Sequence, residues 1–348
     1  MYSNKTQYSI VPFKENAVNL NTWPIYFCAR IVIAFFRAIP RGAGAAVIRL
    51  LATAFYYLDA RHRHIADVNL RIAFPGMPRR QRSAIARRCF QNAGMNLLEI
   101  SRLDILTPEN ISSLVDYDNT DGLNNYREAL SRNKGILYLT GHFSSWELLP
   151  TAHAMYGYPL SFTTRPLDNA RLEKYLRRVR ESKGNTVIYK KDSARHILKE
   201  LKAGRTVGVL MDHNVNPSEG VFADFFGVPA ATSTGVALLA LRTEAPVLTG
   251  YLTPLRNGRY TFKFLPPIDM VRTGDTAEDL RVNTQRLNDI LERIIREQPE
   301  SWLWGHKRWK NRPPEDPRDI YSLSSRGLDE FLHAARNTMK YPGQRPDR

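Results

Sequence analysis

The segment GHFSSWELLP, residues 141–150, sets a histidine and a glutamate five residues apart, directly after the apolar run GILYLT. An imidazole at the end of a strand is placed to act as a general base. A carboxylate beside it would fix its tautomer and stabilise the imidazolium it becomes. Five residues of regular helix turn through about 500°, which sends the side chains of His142 and Glu147 to different faces. They converge only if His142 stays in the loop and Glu147 falls in the first helical turn. Ser144 and Glu147 also fit a capping box, each side chain closing on the other's backbone N–H. That structural reading needs no histidine, and the two readings do not exclude each other. No G-x-S-x-G turn exposes a serine nucleophile. A His–Glu pair without a protein nucleophile suits activation of a substrate hydroxyl for attack on an activated acyl group. The amides of the first helical turn or a nearby arginine would then face the oxyanion.

Such a pair needs a scaffold. Short apolar runs at 135–140, 159–163, 185–189, 206–211 and 246–252 alternate with helical patterns near 144–156, 169–183, 192–203 and 234–243. Strands alternating with helices predict an α/β fold, a central mixed sheet with helices on its faces. RYTFKFLPPI adds a late strand, and 277–298 a further helix carrying Leu280, Leu287, Ile290, Leu291 and Ile294. Sheets of this kind gather their chemistry at the carboxyl ends of strands. Arg165 follows LSFTT there, where a guanidinium either holds a phosphate bidentately or makes a surface ion pair. Asp212 closes TVGVLM and reads as orienting a basic group or the substrate, or as forming a turn. PAATSTG opens the 234–243 helix, with Thr232 or Ser233 as its cap; Thr232, Ser233 and Thr234 are candidate substrate contacts, since small residues admit a lipid or thioester. In WLWGHKRWKNRP, aromatics interleave with His306, Lys307, Arg308, Lys310 and Arg312. The mixture suits a phosphate-rich headgroup and also single-stranded nucleic acid. His306 reads as structural or as a phosphate contact rather than a second base.

The 348 residues carry a net charge of +16 and are 43% hydrophobic, which excludes a disordered or fibrous chain and implies an anionic partner. No nucleic-acid module is recognisable, so a phospholipid surface or a phosphorylated substrate is expected instead. Cys28 and Cys89 lack C-x-x-C partners, which argues against a zinc ribbon or a disulfide framework and predicts two small buried thiols in a reducing compartment. Residues 1–22 are polar and read as irregular. Residues 23–58 are the most apolar part, interrupted by Arg30, Arg37 and Arg49 and split at Pro40 and Gly42. No stretch there reaches the ~18 apolar residues of a clear spanning helix. Aromatics and arginines around aliphatic residues predict helices lying in, or tilted through, a membrane interface, the alternative being two buried core helices. The 78–104 segment has helical spacing, with Arg79, Arg80, Arg82, Arg87 and Arg88 on or near an outer face that suits anionic lipid or solvent equally. An α/β domain over 59–315 and a polar tail over 316–348 complete the expected organisation.

The H-x4-E motif after a strand resembles the mark of the glycerolipid acyltransferase superfamily, and its glutamate form resembles the late acyltransferases of lipid A biosynthesis. Five further blocks are similar to that family in the same order: HIADVNLRIAFPG, TTRPLDN, MDHNV, VFADFFGVPAATSTG and WLWGHKRWKNRP, within residues 20–315. The resemblance implies an inner-membrane enzyme facing the cytoplasm. It would move an acyl chain from acyl carrier protein to a hydroxyl of a lipid A precursor, an anionic glycolipid, with no metal or tightly bound cofactor. It also implies His142 as general base with Glu147 as its partner, and Arg165 on a phosphate or the oxyanion. The wider family includes acyltransferases of phosphatidylinositol mannosides, and a thioesterase could use the same pair on water.

Overall fold

The computed structural model describes residues 22–117, 121–190 and 193–338. The irregular segment expected at the N-terminus lies, apart from Thr22, outside them. The centre is a seven-stranded sheet built from β1 (Val115–Tyr117), β2 (Ile136–Thr140), β3 (Leu160–Thr164), β4 (Thr186–Tyr189), β5 (Thr206–Leu210), β8 (Val247–Pro254) and β9 (Tyr260–Phe264). Its order is β1-β9-β8-β2-β5-β3-β4; β8 and β9 pair antiparallel and the other neighbours parallel, so the sheet is mixed as expected. A separate hairpin, β6 (Gly220–Phe225) with β7 (Val228–Ser233), stands beside it.

Strand β2 shows why the runs are continuously apolar: both sheet faces are covered, so neither needs polar residues. Leu137 and Leu139 join one core with α3 (Ala60–Ala73), α8 (Ser193–Lys202), α9 (Gly235–Thr243) and α10 (Thr276–Glu297). Ile136 and Tyr138 join the other with α5 (Asp121–Ser131) and α6 (Leu148–Met155). Neighbouring β8 makes room for the Tyr138 phenol with a glycine: a Cβ on Gly250 would lie 1.4 Å from the Tyr138 hydroxyl oxygen.

The apolar segment at 23–58 forms α1 (Thr22–Ala38) and α2 (Arg41–Leu58), laid against α4 (Arg79–Ile100). Two of the arginines that interrupt it turn toward the protein. Arg30 stacks over Tyr175 at 4.2 Å on α7 (Ala170–Glu181), and Arg37 reaches Asp104 at 2.6 Å. The outer face keeps Ile25, Phe27, Ile31, Phe35, Leu50, Leu51, Phe55 and Leu58 exposed. Cys28 shares that exposure, contrary to the expected pair of buried thiols, whereas Cys89 is buried. Among the described residues no single helix is long and apolar enough to cross a membrane; α2 and α3 pass that test only as a pair bent by 87°.

Six elements escape the sequence reading: α3, α5, β1, β6, β7 and α11. Strand β1 is only three residues long. The β6–β7 turn places Phe226 and Gly227 both at positive φ, a hairpin geometry that a phenylalanine rarely adopts; Glu292 accepts the Phe226 N–H at 2.5 Å. The polar tail contains α11 (Ser325–Thr338), whose Leu328, Phe331 and Leu332 are buried against the α3 side of the core.

Candidate active site

The register of β2 against β5 builds the site. Thr140 and Leu210 are paired at the carboxyl ends of adjacent parallel strands, and Met211 N–H donates to the Thr140 carbonyl at 3.1 Å. His142 and Asp212 each stand two residues beyond that pair, so strand pairing alone delivers them side by side. The Asp212 carboxylate takes three hydrogen bonds: Oδ1 faces His142 Nδ1 at 2.9 Å, and Oδ2 accepts from the His142 backbone N–H at 2.7 Å and from Trp302 Nε1 at 2.8 Å. Gly141 lets the carboxylate this close; a Cβ there would sit 3.0 Å from Asp212 Oδ2.

The loop after His142 is pinned from the far end of the chain. Leu303 N–H donates to the His142 carbonyl at 3.0 Å and Ser144 N–H to the Ser301 carbonyl at 2.7 Å, which is how Trp302 reaches Asp212. His306, partly buried, sets its two ring nitrogens within hydrogen-bond distance of the carbonyls of Leu303 and Asp212. Trp146 and His213 flank the His142 ring, with centroids 5.2 and 4.3 Å away.

The electrostatics follow from these contacts. Burial disfavours a charged His142, but the Asp212 carboxylate overcomes it through charge and hydrogen bonding, with a smaller push from Glu147, so the imidazole pKa lies above the ordinary 6.5. Burial alone would raise Asp212; the imidazoles of His142, His306 and His213 reverse that and hold it far below the usual carboxylate range. Nδ1 is committed to Asp212, so the neutral ring keeps its proton there and leaves Nε2 as the acceptor.

Glu147 stands elsewhere than expected. Its carboxylate is gripped by Arg180 of α7, Nη2 to Oε1 at 2.6 Å and Nε to Oε2 at 3.1 Å, and it makes no hydrogen bond to His142. The capping box is absent as well. Ser144 adopts a left-handed φ of 52°, and the Ser145 carbonyl receives the N–H groups of Leu148 and Leu149. Asn96 of α4 ties the turn together, donating to the Ser144 carbonyl at 2.9 Å and accepting the Glu147 N–H at 3.2 Å. Glu147 and Arg180 should therefore behave as one unit. In a double-mutant cycle, Glu147→Gln and Arg180→Gln are expected to be non-additive in stability by about 0.5–3 kcal/mol. Additive thermal and chemical unfolding would show that the pair contributes nothing jointly.

The remaining candidates separate into buried supports and surface residues. Arg308 is completely buried, donating to the Ala231 carbonyl at 2.9 Å and to Thr232 Oγ1 at 2.7 Å, with Phe225 under its guanidinium. Burial lowers its pKa to about 10, a loss that nearby Asp212 partly offsets. Thr232 and Arg308 thus brace β7 against the 302–312 segment instead of lining an open cleft. Ser233 Oγ accepts the Gly235 N–H at 3.2 Å, and Thr234 precedes α9 without a side-chain capping bond. Arg165 is on the surface, its side chain 79% exposed and paired with the still more exposed Asp168. Sequence reasoning missed Arg180 and Asn96, and quoted Trp302 within WLWGHKRWKNRP without giving it a role; each reaches the site from a distant element.

Beside the histidine segment lies an apolar groove of about 1040 Å³ between α1, α2 and α4. Phe35, Leu51, Phe55, Phe90 and Leu97 line it, together with Leu303, Gly305 and His306. Leu303 and His306 of this lining contact the backbone carbonyls of His142 and Asp212.

The profile of the family described as bacterial lipid A biosynthesis acyltransferase matches residues 10–311. Among curated proteins, the lipid A biosynthesis lauroyltransferase of Escherichia coli K12 is 27% identical over 259 residues, 74% of this chain and 82% of that protein. The palmitoleoyltransferase of the same organism is 28% identical over 254 residues (73% and 80%), and its myristoyltransferase 25% over 274 residues (76% and 82%). Coverage of this extent spans the sheet, the His142–Asp212 pair and the closing tryptophan segment together. The chain is an acyltransferase, and it belongs to the bacterial lipid A biosynthesis acyltransferase family.

Proposed function

We propose that the protein transfers a fatty acyl chain from acyl carrier protein to a hydroxyl of a lipid A precursor of the Kdo2-lipid IVA type, at the cytoplasmic face of the inner membrane. The observation that carries the chemistry is the His142–Asp212 pair: a base with its tautomer fixed, in a pair whose backbone carbonyls contact Leu303 and His306 of the apolar groove's lining. His142 Nε2 takes the proton of the acceptor hydroxyl as its oxygen attacks the thioester carbonyl. The new C–O bond forms, the C–S bond breaks, and the departing thiolate receives the proton held by the imidazole. Asp212 stabilises the imidazolium throughout. Glu147 acts at one remove, adding negative potential at His142 and, with Arg180, fixing the turn that carries it.

The groove supplies the acyl site in this reading, and the exposed apolar face of α1 and α2 rests in the lipid, so that chain and acceptor both arrive from the bilayer. Filling the groove tests this. Ala93→Trp is expected to raise KM for a long-chain donor about tenfold by excluding roughly two methylenes, each worth about 0.8 kcal/mol. Short-chain donors should be unaffected; equal loss for all chain lengths would place the chain elsewhere.

The reading as a whole is tested by following labelled acyl chain from acyl carrier protein in the presence of the tetra-acylated precursor. Label appearing in the glycolipid supports it. Label appearing only as free fatty acid, with or without acceptor, would make the protein a thioesterase. Transfer to another membrane glycolipid in place of the precursor would retain the reaction and replace the acceptor.

A further inference from the structure

Helix α3 has two working faces. His62, Ile65 and Asn69 look toward the apolar groove and the 304–306 segment, where Asn69 Nδ2 donates to the carbonyls of Trp304 and His306 at 2.8 Å each. His64, Asp67, Val68 and Arg71, spaced i, i+3, i+4 and i+7, form the other face. That second face lines a separate cavity of about 600 Å³, walled by α4 and by the start of α11.

Arginine dominates this cavity. Arg63, Arg71, Arg79 and Arg82 line it, against the single carboxylate of Asp67. The protein uses only part of their donor capacity. Arg63 spends Nη1 on the carbonyls of Tyr56 and Tyr57, and Arg71 spends Nη2 on the Ser325 carbonyl and on Asp329 at the rim. Arg82 spends Nε on Asp67 and Nη1 on the Met77 carbonyl. Those bonds aim the guanidinium groups and leave Arg63 Nε and Nη2, Arg71 Nε and Nη1, and Arg82 Nη2 without a protein acceptor among the described residues. Arg79 makes no hydrogen bond or ion pair there. The side chains of Arg71 and Arg82 are only 12% and 15% exposed, so their charge is held within the wall and not spread over solvent. The hydroxyls of Ser83, Ser324 and Ser325 and the N-terminal end of α11 add donors on the opposite side.

We infer that this cavity is a binding site for a phosphate ester, distinct from the catalytic centre and separated from it by α3. Several preorganised guanidinium groups around one cavity match the tetrahedral, multiply charged acceptor surface of a phosphate. The volume admits a sugar- or headgroup-sized molecule. Tyr56 and Ala60 line the cavity, and Tyr57 and Leu58 between them in the chain are exposed, so a lipid-borne phosphate could enter with its chains along the apolar face of α2. The inference does not depend on the acyl-transfer reading.

The test measures binding of inorganic phosphate to the full chain at constant ionic strength, and sedimentation of the chain with phosphatidylcholine vesicles with and without phosphatidic acid. Arg79→Gln removes a cavity arginine that holds no protein partner among the described residues, and Arg71→Gln removes a partly buried one. Each should weaken phosphate binding about tenfold, as for loss of a charge-assisted hydrogen bond. Arg87→Gln, exposed and outside the cavity, and His142→Ala should leave it unchanged. Binding of free phosphate with this pattern assigns the site to phosphate itself. The same pattern seen only as a phosphatidic acid-dependent gain in sedimentation assigns it to a lipid headgroup. No phosphate-dependent binding in either arm overturns the proposal. So does equal weakening by Arg87→Gln, which would indicate diffuse surface charge, or weakening by His142→Ala, which would place the anion in the catalytic groove.

Discussion

Asp212→Asn is expected to lower the rate of acyl transfer by roughly 10³–10⁴-fold, as when a buried carboxylate behind a catalytic histidine loses its charge. The carboxylate accepts His142 Nδ1–H, His142 N–H and Trp302 Nε1–H. An asparagine has one oxygen for these donors. Placed to keep the bonds on the Oδ2 side, it turns its NH2 toward Nδ1 and forces the imidazole to hold its proton on Nε2. The atom needed to take the substrate proton is then already protonated. The pH dependence should move with it. As the proposed base His142 acts when neutral, so activity should rise with pH through the His142 pKa, which Asp212 holds above 6.5. With that charge gone and the burial kept, the residual activity should show its acid limb at lower pH. An Asp212→Asn enzyme with wild-type rate and an unmoved limb would remove Asp212 from the chemistry.

His142→Ala should cost about 10²–10⁴ in turnover, the usual worth of a positioned general base. Its effect on folding should be small. The side chain is 17% exposed and its ring bonds only Asp212, while the backbone contacts that pin the loop, to Asp212 and Leu303, survive the substitution. Paired measurement of initial rate and thermal midpoint separates the two effects. Turnover retained within a few fold would show that another group is the base; a collapsed midpoint would make the lost activity a folding effect.

The sequence shows the parts of this site more readily than their pairing. Long apolar runs bounded by turns betray the buried strands, and so His142 and Asp212 are both recognisable as residues at strand ends. That they touch depends on β2 lying beside β5, with Thr140 opposite Leu210. Strand order is a long-range property that no local spacing encodes. The reverse holds for Glu147, where the close H-x4-E spacing suggests a direct pair. The left-handed turn at Ser144 and the guanidinium of Arg180, thirty-three residues on, direct its carboxylate away. Asn96 and the role of Trp302 escape for the same reason as Arg180. Helix α11 escapes because its apolar residues sit on one narrow stripe within a charged tail, and β1 because three residues carry no period.

In the proposed mechanism His142, held and polarised by Asp212, is the base for acyl transfer. That role is tested most directly by the initial rate of labelled acyl transfer from acyl carrier protein to the tetra-acylated precursor, measured against pH for wild type and Asp212→Asn side by side. The expected result is an acid limb above 6.5 in wild type that shifts downward in the variant, together with the large fall in rate. Superimposable pH profiles, or a variant as fast as wild type, would contradict it.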